Sequence, residues 1–230
     1  MDAAGFTVHM HAIGDRAVKV AVNAIAAARA ANGITGHPHS LAHVQLASPE
    51  DQMRIGEMGI PVVFTFAWAS ADMAHEMTVE PFIDQFTGPE DLHNPAHYCY
   101  QNVYPAKSIQ NFGGLRVGGS DAPVDVPDPR PFVNIEQALT RSGEDGQVLN
   151  PDQRIDIRTA IAAYMINGAK TLHQANLVGS IEVGKRADMI VLDHNLIELA
   201  ESGKAADISE TKVLLTLLDG KAVYDVLGLK

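Results

Sequence analysis

In Phe6–His11 the polar Thr7, His9 and His11 alternate with the apolar Val8 and Met10, the period of two by which a β-strand separates its faces. Gly14 and Asp15 break that pattern. Ala17, Val20, Ala21, Ala24, Ile25 and Ala28 then recur at helical spacing until Asn32 and Gly33 end the run. Asp15 stands where a helix cap belongs. The arrangement repeats: Ser40–Gln45 reads as a strand, and Ser48 with Pro49 opens a helix that runs through Met58 to Gly59. The β-branched and aromatic run Ile60–Phe66 reads as a buried third strand. Pro105–Phe112 predicts a helix stopped by Gly113 and Gly114, and Leu115–Gly119 a fourth strand ending at Ser120 and Asp121.

Residues 67–103 carry Trp68, Met73, His75 and Met77 but no sustained period, which predicts a long excursion with some helix, of the kind that forms lids or touches substrate. Two further helices are expected over Phe132–Arg141 and Asp156–Gly168. Beyond Val178 the texture changes: Ala187–Leu192, Lys212–Leu218 and Ala222–Tyr224 are short strands joined by Gly-Lys and Asp-Gly turns, a small β unit. Strands alternating with helices predict a parallel α/β arrangement, and four βα units are half of an eight-stranded barrel.

Composition narrows the function more than the fold. With 230 residues, 46% of them hydrophobic, the chain can bury a sizeable core, and its net charge of -11 argues against nucleic acid or an acidic membrane as partner. One cysteine, Cys99, excludes a disulfide framework and a multi-cysteine zinc site, so any metal falls to histidine and carboxylate. Cys99 itself reads as a bystander. No apolar run is long enough to span a bilayer, and the first residues lack a leader's basic and apolar regions. The default expectation is a cytoplasmic protein, with a signal upstream of Met1 left open.

His11, His43 and Asp121 share one address, the C-terminal end of a strand just before a turn, where α/β folds present their chemistry. Two imidazoles and a carboxylate suit a hydrolytic divalent metal, zinc first, with iron or manganese as alternatives. Asp121 can also take a proton from the attacking water and return it to a leaving amine. His9 shares a face with His11 one layer deeper, as a hydrogen-bonded support or core residue. Asp15, Trp68 and His75 join His9 as candidates to support the ligands or touch substrate, and His93 and His97 lie in the same excursion. His37-Pro38-His39 has the spacing of a metal pair, but its Gly and Pro neighbours favour a solvated loop. His173 and His194 read as surface residues. No G-x-S-x-G elbow and no phosphate-binding glycine loop is present.

HAIGDRA at 11–17, HVQL at 43–46, GGSDAPVDVPDPR at 118–130, AIAAYMINGAK at 160–170 and VGSIEVGKRADMIVLD at 178–193 resemble the amidohydrolase superfamily, in its family 3, N-substituted formamide deformylase-like branch. The resemblance implies a distorted (β/α)8 TIM barrel holding one or two divalent metals, with a small β-sandwich appended. It implies that His11 and His43 are the ligands ending the fifth and sixth strands, and that Asp121 follows the eighth. Residues 1–175 would then be the C-terminal half of the barrel and 176–230 part of the composite sandwich. The activity implied is metal-dependent hydrolysis of carbon–nitrogen bonds in a small-molecule amide or cyclic amide. Departures accompany the match. The family's first-strand His-x-His and fourth-strand bridging residue have no counterpart, and Ser40 and Ala42 stand where arginine and glutamate are common. The simplest expectation is the C-terminal portion of a longer amidohydrolase, with Met1 an internal methionine and the metal site incomplete. The alternatives are a non-catalytic binding or assembly module, and a homo-oligomer that completes a barrel from two halves.

Overall fold

The computed structural model describes residues 1–70, 89–124, 127–143 and 146–229. Met73, His75 and Met77 lie outside the described residues. Four short strands, β1 (His9–Ala12), β2 (Ser40–His43), β3 (Val62–Phe64) and β4 (Arg116–Gly118), pair in parallel in chain order. The helices expected between them are present as α1 (Asp15–Asn32), α2 (Pro49–Glu57) and, after the short α3 (Tyr98–Asn102), α4 (Ala106–Asn111). Leu41, Val62 and Phe64 join Val18, Val22, Ile25, Ile55 and Ile109 of the helices in one fully buried cluster. At roughly 1.5–3 kcal/mol for each buried aliphatic or aromatic side chain, this layer is the main stabilising contact of the sheet. The result is a mixed α/β fold built on a parallel sheet.

Local chemistry sets the helix ends. Ser48 Oγ accepts the Asp51 N–H at 3.2 Å and Pro49 occupies the first turn of α2. For α1 the cap is Gly14, so Asp15 is the first helical residue and not the cap; its charge still favours the positive end of the helix. The helix expected over Asp156–Gly168 is two: α6 (Ile157–Tyr164) and α7 (Ile166–Thr171), following α5 (Pro131–Thr140). The break at Met165 redirects α7 onto β4, where Asn167 Nδ2 donates to the Arg116 carbonyl at 2.9 Å.

The C-terminal unit is a three-stranded antiparallel sheet, β5 (Met189–Leu192), β6 (Val213–Leu218) and β7 (Lys221–Asp225). Asp219 and Gly220, at φ 50° and 76°, make the left-handed two-residue turn that a hairpin requires. Between β5 and β6 lie α8 (Leu196–Glu201), capped by Asn195, and a 3-10 turn over Ala205–Glu210. That turn returns to α5, where the Ser209 N–H donates to Glu136 at 2.8 Å. No helix among the described residues is long and apolar enough to cross a membrane.

The His37-Pro38-His39 segment overturns its solvated reading, because His39 is only 3% exposed. Its Nδ1 accepts the Val8 N–H at 3.0 Å, which leaves Nε2 to donate to Asp2 at 2.9 Å. Thr35 Oγ1 and Asn32 Nδ2 donate to the same carboxylate, each at 2.6 Å. Thr35, Asn32 and then His39 hold the Asp2 carboxyl well below its ordinary 3.8. A depressed folded-state value contributes stability that is complete above the unfolded value and is lost as pH falls through the folded one. Asp2→Asn is therefore expected to lower the urea midpoint at neutral pH, with the gap to the native protein narrowing below pH ~4 as titration followed by circular dichroism proceeds.

Candidate metal and hydrolytic site

At the C-terminal ends of β1 and β2, the rings of His11 and His43 meet edge-on, with centroids 4.7 Å apart and planes at 71°. Regular alternation would not produce this contact. His11 is in register with Ala42, so an ordinary strand would turn His43, the next residue, to the opposite face. His43 and Val44 instead adopt φ of 71° and 48°, two consecutive left-handed residues, the second β-branched. Such geometry persists where the surroundings over-determine it. Here Val44 N donates to the Ala12 carbonyl at 3.0 Å, Leu46 N to Ile13 at 2.9 Å and Tyr104 N to Gln45 at 2.7 Å.

His43 is buried, and Thr65 Oγ1 lies 3.1 Å from its Nδ1. The indole of Trp68 stacks on its face, 5.0 Å between centroids and 14° from parallel. Burial first, then the proximity of His11 and His9, lowers the imidazole's pKa against an opposing pull from Asp121. The neutral ring that results at neutral pH is the form that binds metal. His11 is exposed.

His9 is hydrogen-bonded as expected, Nδ1 to Ser40 Oγ at 2.8 Å across the β1–β2 register, but it is exposed and not a core residue. Ser40, one of the departures from the family pattern, thereby serves as the partner of His9. Asp121 follows β4 at φ 53°. The next turn takes its side-chain acceptor from Ser120, whose Oγ receives the Ala122 N–H at 3.2 Å, while Asp121 contributes its backbone carbonyl to Val124. Asp15 accepts the Tyr98 hydroxyl at 3.0 Å, tying α3 to the turn after β1. Burial and that carboxylate push the Tyr98 phenol above its ordinary range. His93 ends a 3-10 turn and His97 precedes α3. Cys99, the chain's one cysteine, is buried.

Thr65, Tyr98 and Asn134 belong to this neighbourhood and were not among the candidates. Thr65 had a signal, since it stands at the end of the third strand, the same address that singled out His11. Tyr98 and Asn134 had none, because their partners lie 83 and 67 residues away.

The donor chemistry of two imidazoles fits one edge of a divalent-metal shell. A protein-held catalytic zinc takes three such ligands. Among the described residues no group of three or more His, Cys, Asp or Glu is gathered closely enough to hold a metal.

A parallel α/β sheet with imidazoles converging at its strand ends is the architecture of a class of metal-dependent hydrolases. The chain belongs to the amidohydrolase family, whose profile matches residues 1–224. It is 25% identical over 229 residues to an N-substituted formamide deformylase of Arthrobacter pascens, covering 97% of this chain and 38% of that protein. It is 28% identical over 224 residues to Protein LONG AFTER FAR-RED 3 of Arabidopsis thaliana, covering 97% of this chain and 35% of that one. The chain thus spans well under half the length of these curated relatives. A metal-dependent hydrolase of Pyrococcus horikoshii superposes with a TM-score of 0.64 at 22% identity, over 87% of this chain and 36% of its own, a likeness of fold. The family resemblance of the sequence is borne out.

Proposed function

We propose that this chain carries one wall of a metal-dependent hydrolase site for carbon–nitrogen bonds in amides or cyclic amides. The observation that carries the reading is the His11–His43 contact, made by a left-handed turn in a chain of the amidohydrolase family. His11 and His43 would hold the ion; Asp121, which this structure does not gather with them into a three-ligand group, would ligate it only after moving closer and would otherwise handle the proton. A divalent metal there, zinc first and iron or manganese otherwise, supplies Lewis acidity that polarises a carbonyl and acidifies water. Asp121 accepts the proton of the attacking water and delivers it to the departing nitrogen. Thr65 and Trp68 hold the His43 ring in plane, and Trp68 offers an apolar wall to a small-molecule substrate. In this reading residues 1–175 are half of a (β/α)8 barrel and 176–230 part of a β-sandwich, which the parallel and the antiparallel sheets support. His9 and Asp15 support the site from its edge.

Metal analysis of the purified protein tests the proposal. Bound zinc, iron or manganese that falls away on His11→Ala or His43→Ala is the expected result, and hydrolysis of N-substituted formamides is the first activity to assay. A folded protein that takes up no divalent ion from excess zinc would overturn it. That no three-ligand group is gathered among the described residues favours a second reading, a non-catalytic binding or assembly module, and that outcome would support it.

A further inference from the structure

We propose that Asn134, on α5, is a positioning residue for His43, acting through the turn that grips the imidazole at its edge and on its face. The functional consequence rests on the reading of His43 as a metal ligand; the geometry does not.

The opening N–H groups of a helical turn have no partner within it. In the 3-10 turn Phe66–Trp68 that follows β3, Trp68 N reaches the Thr65 carbonyl at 3.0 Å. Ala67 N instead donates to Asn134 Oδ1 at 2.9 Å. Asn134 is 1% exposed, and its Nδ2 donates to the Arg130 carbonyl at 3.2 Å, so both ends of the amide are used and its orientation is fixed. Losing this acceptor would leave a backbone N–H orphaned beside the core, an arrangement native proteins avoid.

Thr65 before this turn and Trp68 at its end converge on one ring. Thr65 meets His43 Nδ1 at 3.1 Å, and Trp68 stacks on the imidazole at 5.0 Å. Phe66, fully buried between them, stacks on Phe64 of β3 at 5.3 Å and fixes one side of the turn to the sheet. Asn134 fixes the other side to α5. The orientation of His43 is therefore set from a helix that acts through Thr65 and Trp68, the two groups by which this turn grips the ring. Partners that fix a ligating imidazole are typically worth about 10–100-fold in metal affinity.

Trp68 is the chain's one tryptophan, so its fluorescence reports this turn without background. On the full chain without metal, Asn134→Ala is expected to red-shift the emission and raise acrylamide quenching several-fold, with far-UV circular dichroism retained. Asn134→Asp keeps an acceptor for Ala67 N and is expected to restore most of the native quenching. Ile135→Val, which trims a buried neighbour on the same helix, is expected to leave it unchanged. Zinc affinity, measured against a chromophoric chelator, should fall about 10–100-fold in Asn134→Ala. Native quenching in a folded Asn134→Ala, or equal disturbance by Ile135→Val, would overturn the proposal. Should Asn134→Ala not fold, hydrogen exchange at the Ala67 amide of the native protein decides: protection comparable to the sheet supports the proposal, and rapid exchange defeats it. If the native protein binds no zinc, the metal reading of His43 falls, while quenching and exchange still judge the role of Asn134.

Discussion

Arg141→Met is expected to cost about 3–5 kcal/mol of folding stability, a large share of the ~5–15 kcal/mol that holds a domain together. The side chain is 1% exposed and ends α5 at φ 50°. Its Nε donates to the Leu149 carbonyl at 2.6 Å, Nη1 to Tyr104 at 3.2 Å and Nη2 to Val103 at 3.1 Å. A bond from a charged donor is worth about 1.5–3 kcal/mol, and the cost of burying the guanidinium offsets part of the sum. Methionine keeps the apolar stem but leaves three carbonyls without that donor. The effect reaches the site, because Val103 bridges Leu46 and Tyr104 N holds the Gln45 carbonyl, which together close the turn after His43. Arg141→Lys should recover only a minor part, since one ammonium cannot serve three acceptors spread along a planar fork. Urea unfolding measures both, and a loss below about 1 kcal/mol for Arg141→Met would show that the carbonyls find other donors.

What the sequence could show follows from how far each determinant reaches. The limits of α1 and α2 are fixed by residues within them or beside them, Asn32-Gly33 and Ser48-Pro49, and both helices stand where the pattern placed them. The β6–β7 hairpin is likewise determined at Asp219-Gly220. α8 carries local signals too, since Asn195 caps it and the left-handed Gly203 follows it. The strand ends at His11, His43 and Asp121 were visible as addresses. The device that joins the two imidazoles was not, because period-two alternation puts His43 on the wrong face and only the left-handed turn reverses it. That turn is held by Ala12, Ile13 and Tyr104, none of which announces its partner. His39 differs from its solvated reading for the same reason: glycine and proline nearby describe a loop, while Asp2, 37 positions away, decides that it is buried. The break at Met165 has no glycine or proline to mark it; the gain is tertiary, the contact of α7 with β4.

Gly118→Ala is expected to destabilise the protein by about 1–3 kcal/mol and to displace Asp121, although it adds one methyl group. A Cβ at this last residue of β4 would overlap the ring of Tyr164 on α6. That ring is half-buried, and its hydroxyl lies 3.5 Å from the Gly119 carbonyl, so it cannot retreat without moving the helix. Either α6 shifts away from the sheet or the end of β4 bends, and the bend carries Ser120 and Asp121 with it. Gly119→Ala is the control. Its Cβ would meet a single methyl, Val63 Cγ1 at 2.7 Å, where Gly118 would meet three ring atoms of Tyr164, so a smaller loss of about 1 kcal/mol is expected as the stiff valine shifts. Combining Gly118→Ala with Tyr164→Leu should recover part of the loss as a favourable coupling energy in urea unfolding, because the second change removes the obstructing ring. Equal losses for Gly118→Ala and Gly119→Ala, with no recovery in the double variant, would mean that α6 yields freely and does not set the position of the Asp121 turn.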